Sequence, residues 1–156
     1  MAYGSKKIGV PPPEAVGFKS RVRATISASQ DVAQDTTTIV NFDSVSEDGL
    51  GEFDNANYRF IPKEDGLYLI VAHIIWEEAT VEADKTSRIG VFKNGFCQSF
   101  ENRLTSHVEW FSSTITAYHR LKKGDKITIR VSHSGTATWQ IRPSADGSNL
   151  RIQRIA

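Results

Sequence analysis

The sequence predicts an all-β protein built as a sandwich or a closed barrel. Short runs of alternating apolar and polar residues recur along the chain, turn-forming residues separate these runs, and no segment keeps a helical period. At least eight runs follow one another, which is the number that a sandwich or barrel needs. With 156 residues and the single cysteine Cys97, the chain is long enough to bury one core without a disulfide.

The first predicted strands precede Pro62. Residues 18–29 alternate between apolar and polar side chains, and residues 37–45 form a second strand whose apolar members are Ile39, Val40 and Phe42. A loop rich in glycine, aspartate and asparagine, residues 46–57, then leads into a short strand over residues 58–61. Pro62 and Gly66 end that strand and set the start of the next.

The long apolar strand is predicted from Leu67 to Trp76 and is apolar on both faces. Successive side chains of a strand point to opposite sides of its sheet, so one set fills the core and the other set needs a second cover. No helical pattern elsewhere supplies that cover, and we therefore expect another copy of the chain to do so. We assign the contacts between copies to one set of alternate residues: Tyr68, Ile70, Ala72, Ile74 and Trp76.

Two turn motifs organise the second half of the chain. Asn94-Gly95 joins the alternating runs 86–92 and 96–100, and this dipeptide favours a type I′ hairpin because both residues tolerate positive φ. Gly124-Asp125 precedes the clean alternation of residues 126–132. Residues 108–121, 139–141 and 150–155 complete the predicted strands.

The amino-terminal 17 residues form an arm of different composition. Pro11, Pro12 and Pro13 fix three successive φ angles and remove three backbone donors, which predicts an extended spacer. The arm has no apolar core of a signal peptide, and no run in the chain is long enough to cross a bilayer, so we expect a protein made in the host cytoplasm without a membrane partner. The residues expected to bind a larger assembly are Tyr3, Ile8, Val10, Pro11, Pro12 and Pro13.

The order of these signals resembles the globular head domain of complement component 1q and the tumour necrosis factor-like jelly rolls. The matching segments are Ile39, Val40, Phe42 and Asp43; Lys93, Asn94 and Gly95; and Leu121, Lys123, Gly124 and Asp125. The resemblance implies a ten-strand jelly roll over residues 18–156 that assembles as a compact homotrimer, with the long strand near the threefold axis. No collagen-like Gly-X-Y stalk precedes the domain and the family's closing motif is replaced, so no role in complement or cytokine signalling is implied.

Charge and motif content favour a non-enzymatic protein. The formal net charge of +1 gives no broad basic field for nucleic acid. The four histidines have no zinc-site spacing, and no nucleophile elbow is present, so no catalytic residue is assigned. Five acidic residues in one stretch, namely Asp43, Glu47, Asp48, Glu52 and Asp54, offer oxygen ligands for calcium. Their spacing is not that of an EF-hand loop, so we expect a solvated acidic loop and no metal, with calcium as the alternative.

The leading functional hypothesis is a structural protein of a virion. A trimeric jelly roll with an arm that docks on a symmetric lattice is what a bacteriophage capsid decoration (cement) protein requires. The alternative is a receptor- or carbohydrate-binding head, for which Trp110 and Trp139 are the candidate stacking residues, although their positions within predicted strands favour core packing for both.

Overall fold

Two packed antiparallel sheets make up the protein. The structure, a computed structural model, describes residues 19–106, 111–143 and 147–156. The predicted all-β sandwich is confirmed, and the described part of the chain holds thirteen strands with a single turn of 3-10 helix at Glu78–Thr80. The predicted arm lies outside the described residues.

Sheet A is the larger of the two and is centred on the long apolar strand. Its strands, in spatial order, are β2 (Gln30–Val32), β12 (Trp139–Ile141), β7 (Gly66–Trp76), β13 (Asn149–Arg154), β1 (Arg21–Thr25) and β4 (Ser44–Asp48), while β10 (Phe111–Leu121) pairs with β7. β10 follows β7 along its whole length, from Phe111 opposite Trp76 to Leu121 opposite Gly66. β7 is therefore hydrogen-bonded on both of its edges.

Sheet B covers the inner face of sheet A. Its strands, in spatial order, are β5 (Phe53–Asp54), β6 (Arg59–Phe60), β11 (Ile127–His133), β8 (Thr86–Lys93) and β9 (Phe96–Leu104), while β3 (Thr38–Ile39) also pairs with β11. Within the described residues β9 pairs with β8 alone and forms an edge of the sandwich.

The segment expected as one strand over residues 37–45 is divided between the two sheets. The backbone N–H of Val40 still donates to the Ile129 carbonyl at 2.9 Å, but that of Phe42 turns back to the Val40 carbonyl at 3.0 Å. The chain crosses here from β3 in sheet B to β4 in sheet A. Crossings of this kind, with strands of two or three residues, raise the number of segments above the expected ten.

The core lies between the sheets and takes the inward residues of the long strands β7, β8, β10 and β11. Its largest fully buried side chains are Trp76, Trp139, Tyr68, Phe42 and Phe60. Phe60 and Tyr68 pack edge to face, with ring centroids 5.6 Å apart. Full burial of one large apolar side chain stabilises a fold by roughly 1.5–3 kcal/mol, so this core holds the sandwich without a disulfide.

The predicted hairpin and the Gly124-Asp125 turn meet at one end of the sandwich. Asn94 and Gly95 have φ values of 53° and 89°, as a type I′ turn requires. The side-chain nitrogen of Asn94 donates to Asp125 Oδ1 at 2.9 Å, and its Oδ1 accepts from the Lys126 N–H at 2.8 Å. The two motifs thus act as one structural unit, which the sequence alone does not reveal.

Candidate functional site

The two faces of β7 differ in exposure. Tyr68, Ile70, Ala72, Ile74 and Trp76, the residues predicted to contact other copies, have 0% exposed surface within the single chain. A residue without exposed surface has none to bury against a partner, so the structure corrects this assignment. The physical reason is that both sets of side chains are apolar, and the set with the larger aromatic rings fills the space between the sheets.

The opposite face of β7 carries an apolar row that the single chain leaves half-buried. We call this row the outer stripe, and it consists of Leu67, Leu69, Val71, His73 and Ile75. The register partners of the outer stripe on β10 are Ser112, Thr114, Thr116, Tyr118 and Arg120. Tyr118 is 61% exposed and lies opposite Leu69, so it widens the apolar surface.

Charged residues border the outer stripe on the side of β13 and β1. Arg151 on β13 is the register partner of Val71 on β7 and of Arg23 on β1. Arg151 and Arg23 are both exposed. Glu47 forms ion pairs with Arg21 and with Arg23. The surface therefore has an apolar centre with a polar and charged rim, which is the usual anatomy of a protein–protein interface.

A second apolar surface lies on the edge of the sandwich. On the edge strand β9, Phe96, Phe100 and Leu104 are 76%, 52% and 65% exposed. Side chains of β9 contact β10, since Arg103 Nη1 donates to the backbone carbonyl of Ser112 at 2.6 Å. Edge strands with exposed apolar residues are common sites of pairing with another chain.

Trp139 is a core residue and not a surface platform. Its ring is fully buried and stacks on the His133 ring, with centroids 4.4 Å apart and the planes 1° from parallel. The indole Nε1–H donates to Glu82 Oε2 at 3.2 Å. A sugar could not reach this ring in the folded chain, so Trp139 is not a stacking residue, and the core position favoured by its place in a predicted strand is confirmed. Trp110, the other candidate, lies outside the described residues.

The acidic stretch does not converge on one point. Each of the five carboxylates has partners of its own. Ser27 donates to Asp43, and Arg21 and Arg23 form ion pairs with Glu47. The backbone N–H groups of Glu52 and Phe53 donate to Asp48, Ser20 donates to Glu52, and Arg59 forms an ion pair with Asp54. Hydrogen bonds from Asn57 and Arg59 hold the pKa of Asp54 below its ordinary value. Within the described residues no group of three or more histidine, cysteine, aspartate or glutamate side chains could hold a metal ion.

Two hydroxyl–imidazole pairs escaped the sequence analysis because their partners are far apart in the chain. His119 Nε2 lies 3.1 Å from Ser99 Oγ, and His73 Nδ1 lies 2.7 Å from Thr114 Oγ1. Burial lowers the pKa of both histidines. A catalytic triad needs a further group that orients the imidazole, and in the described ranges no carboxylate hydrogen-bonds to either ring. These pairs connect β9 to β10 and β7 to β10.

The remaining predictions concern the arm and the membrane. Tyr3, Ile8, Val10 and the three prolines fall outside the described residues, so the arm stays a prediction from sequence. The part of the chain that the structure describes holds no helix long and apolar enough to cross a bilayer.

Comparisons with known proteins agree on the fold. No protein-family model and no curated protein matches the sequence. The structure is similar to murine APRIL, with a TM-score of 0.67, 14% identity, and 87% of this chain and 98% of that chain covered. It is also similar to the Eiger TNF of S. frugiperda, with a TM-score of 0.65, 13% identity, and 90% of this chain and 94% of that chain covered. The globular domain of zebrafish complement 1qA gives a TM-score of 0.64 at 16% identity, with 88% of this chain and 98% of that chain covered.

The chain is therefore a jelly roll of the type found in tumour necrosis factors and complement 1q globular heads, as the sequence motifs indicated. Trimeric assembly is typical of proteins with this fold. At 13–16% identity the likeness shows the fold alone.

Proposed function

We infer that this chain is a non-enzymatic structural module that forms a homotrimer and attaches to a larger symmetric particle, as a bacteriophage capsid decoration protein or another virion structural protein does. The observation that supports self-association is the outer stripe on sheet A. It places four aliphatic residues in one row on a strand that is already paired on both edges. Only another layer, and not another strand, can cover it.

The outer stripe and the apolar edge of β9 are two surfaces that could pair with each other in a ring of identical chains. The outer stripe lies on a sheet face and Phe96, Phe100 and Leu104 lie on a sandwich edge, so the surfaces are different. An interface between two different surfaces is heterologous, and it forms a closed ring when the rotation between neighbours closes. A closed ring of three covers every copy of both surfaces, in agreement with the assembly typical of the fold.

The energy available is of the size that association needs. Covering one large apolar side chain contributes up to about 1.5–3 kcal/mol, and the outer stripe and the edge together offer more than six such residues per interface. Fixing one protein on another costs an estimated 4–15 kcal/mol. The stripe residues are already half-buried and so gain only part of that amount, which means that a trimer would need both surfaces.

The attachment to a particle rests on the sequence. The arm with Pro11, Pro12 and Pro13 is an extended spacer of the kind that can lie along a neighbouring surface. We propose that Tyr3, Ile8 and Val10 supply its apolar contacts with the particle. A receptor-binding head remains the alternative function, although the burial of Trp139 removes one of its two stacking residues.

Sedimentation of matched variants tests the homotrimer. Val71 lies in the middle of the outer stripe, and Val71→Glu places a charge where the neighbouring copy would exclude water, so we expect the trimer to dissociate into folded monomers. Ser132→Glu adds the same charge to the outer face of sheet B and should leave the trimer intact. A wild-type chain that sediments as a monomer at micromolar concentration would refute the proposal.

Removal of the arm tests the attachment separately. A chain lacking residues 1–17 should still form the trimer, since the described strands begin at Arg21. It should no longer bind particles from which the native protein has been stripped. If the truncated trimer binds as well as the full chain does, the arm is not the attachment segment, and the trimer itself is unaffected by that result.

A further inference from the structure

A polar cleft of about 590 Å³ opens on the outer face of sheet B. It lies where two very short strands share one edge of β11, since β6 pairs with β11 at Ile127 and β3 pairs with it at Arg130 and Val131. Residues of all three strands line the cleft, among them Ile39, Arg59 and Thr128.

Three cations line this cleft, and no carboxylate does. They are Arg59, Lys126 and Arg130. Lys126 directly precedes β11 and lies four positions before Arg130, so the two side chains extend from the same face of the sheet, on either side of Thr128. The formal net charge of the whole chain is only +1, so this cluster is a local feature and not part of a general basic field.

The three cations differ in whether a carboxylate pairs with them. Asp54 Oδ2 lies 2.8 Å from Arg59 Nε and neutralises that guanidinium. Across the described residues neither Lys126 nor Arg130 forms an ion pair. Arg130 Nε donates to Thr128 Oγ1 at 3.2 Å, and its guanidinium carbon lies 4.6 Å from the centroid of the Phe92 ring. These neutral contacts orient Arg130 without neutralising it.

The nearest acidic turn residue is already occupied. Asp125 Oδ1 accepts from Asn94 Nδ2, and its Oδ2 accepts from the Lys122 N–H at 2.9 Å. Gly95 and Gly124 border the mouth of the cleft, and a Cβ atom on either would meet no other atom within 4 Å. The cleft is therefore open to solvent, and the charged residues among its described lining are all cations.

We propose that this cleft binds an oxyanion group, such as a phosphate, a sulfate or a carboxylate, carried on a polar ligand of about the size of a monosaccharide. A guanidinium offers two parallel N–H donors to such a group and an ammonium adds a point charge. The volume falls within the range of small-molecule sites. The cleft is on the opposite side of the sandwich from the outer stripe, so this site does not depend on the proposed trimer.

Titration of the full-length protein with three probes tests the proposal: inorganic phosphate, glucose 6-phosphate and glucose. We expect saturable binding of the two phosphate-bearing probes, with NMR shifts at the Arg130 Nε–H and around Lys126, and no saturable binding of glucose. Arg130→Gln should weaken phosphate binding about tenfold, because it removes a charge-assisted pair of hydrogen bonds. The matched control Lys122→Met removes a nearby cation that does not line the cleft and should change the affinity by less than about twofold.

Each outcome separates the alternatives. Stronger binding of glucose 6-phosphate than of phosphate supports a ligand built on a sugar, and equal binding supports a site for the oxyanion itself. If Arg130→Gln fails to fold, Arg130→Lys keeps the charge but loses the two-pronged geometry and should still weaken binding severalfold. The proposal is overturned if phosphate does not saturate at about 20 mM, if glucose binds equally well, or if Lys122→Met has the same effect as the cleft variants.

Discussion

The outer faces of the two sheets differ in the side chains that they present to solvent. Sheet A presents an aliphatic row, from Leu67 to Ile75, on a strand that is paired on both edges. Sheet B presents arginines and a lysine around a cleft on β11, where short strands leave its edge incompletely filled. The aliphatic face gains free energy when another molecule covers it, whereas the charged face is stable in water. One fold can therefore assemble through one side and stay available for ligands on the other.

The largest expected effect distinguishes the two faces of β7 itself. Ile70→Ala should lower the free energy of unfolding by about 2–5 kcal/mol, because the removed atoms leave a cavity in the core. Leu69→Ala, the same type of change one residue away, should leave the thermal unfolding of the isolated monomer almost unchanged and should weaken the trimer instead. Chemical denaturation of both variants in a monomeric Val71→Glu background measures their effects on the fold, and sedimentation of Leu69→Ala in the otherwise native chain measures its effect on the trimer. Equal destabilisation by the two variants would mean that the outer stripe is part of the chain's own core.

The next effect concerns the turns that border the cleft on sheet B. Asn94→Ala removes the hydrogen bonds to Asp125 and Lys126 and leaves at a φ of 53° a residue that adopts positive φ less readily than asparagine, so we expect a loss of about 1–3 kcal/mol in the free energy of unfolding. Asn94→Gly keeps the backbone conformation and loses only the side-chain bonds, so it should cost less. If the two variants unfold at the same denaturant concentration, backbone strain contributes nothing at this turn.

A smaller effect is expected at the loop that lies outside both faces. Hydrogen bonds from Thr136, Ala137 and Trp139 lower the pKa of Glu82 from 4.5 to about 2. Because the folded-state pKa is below the unfolded-state value, the carboxylate stabilises the fold above pH 4.5 and loses that contribution as the pH falls toward 2. The difference in melting temperature between the wild type and Glu82→Gln should therefore be largest near neutral pH and shrink across that window. A difference that does not change with pH would contradict this account.

The smallest effect sharpens the description of the outer stripe. Burial lowers the pKa of His73, which lies opposite Thr114 and Asn149 with no charged residue at either register position. Its neutral form suits an apolar interface, and protonation below its ordinary pKa of 6.5 should weaken both the fold and the trimer. We expect the dissociation constant to rise as the pH falls from 7 toward 5, and His73→Gln should remove most of that dependence. Sedimentation at a series of pH values measures it.

Several features of the candidate sites could be predicted because their cause is local. Asn94-Gly95 forms the expected turn since its residues tolerate positive φ whatever surrounds them. The wrong assignments share a different cause. The inner set of β7 was assigned to contacts between copies, and Trp139 was considered for the core and for a ligand site, because aromatic residues serve equally well in both places and only the position of sheet B decides between them. The cleft escaped prediction because Arg59 and Arg130 are 71 residues apart in the chain.

The sequence by itself determined that the chain is an all-β sandwich or barrel with a doubly apolar strand, because strand periodicity and turn chemistry are properties of neighbouring residues, and its resemblance to known domains indicated the jelly roll. Only the tertiary structure decided which side of that strand faces the core, which carboxylates are already paired, and where cations gather. These depend on packing between segments that are distant in the chain, since burial and charge pairing are set by the neighbours a side chain meets in space.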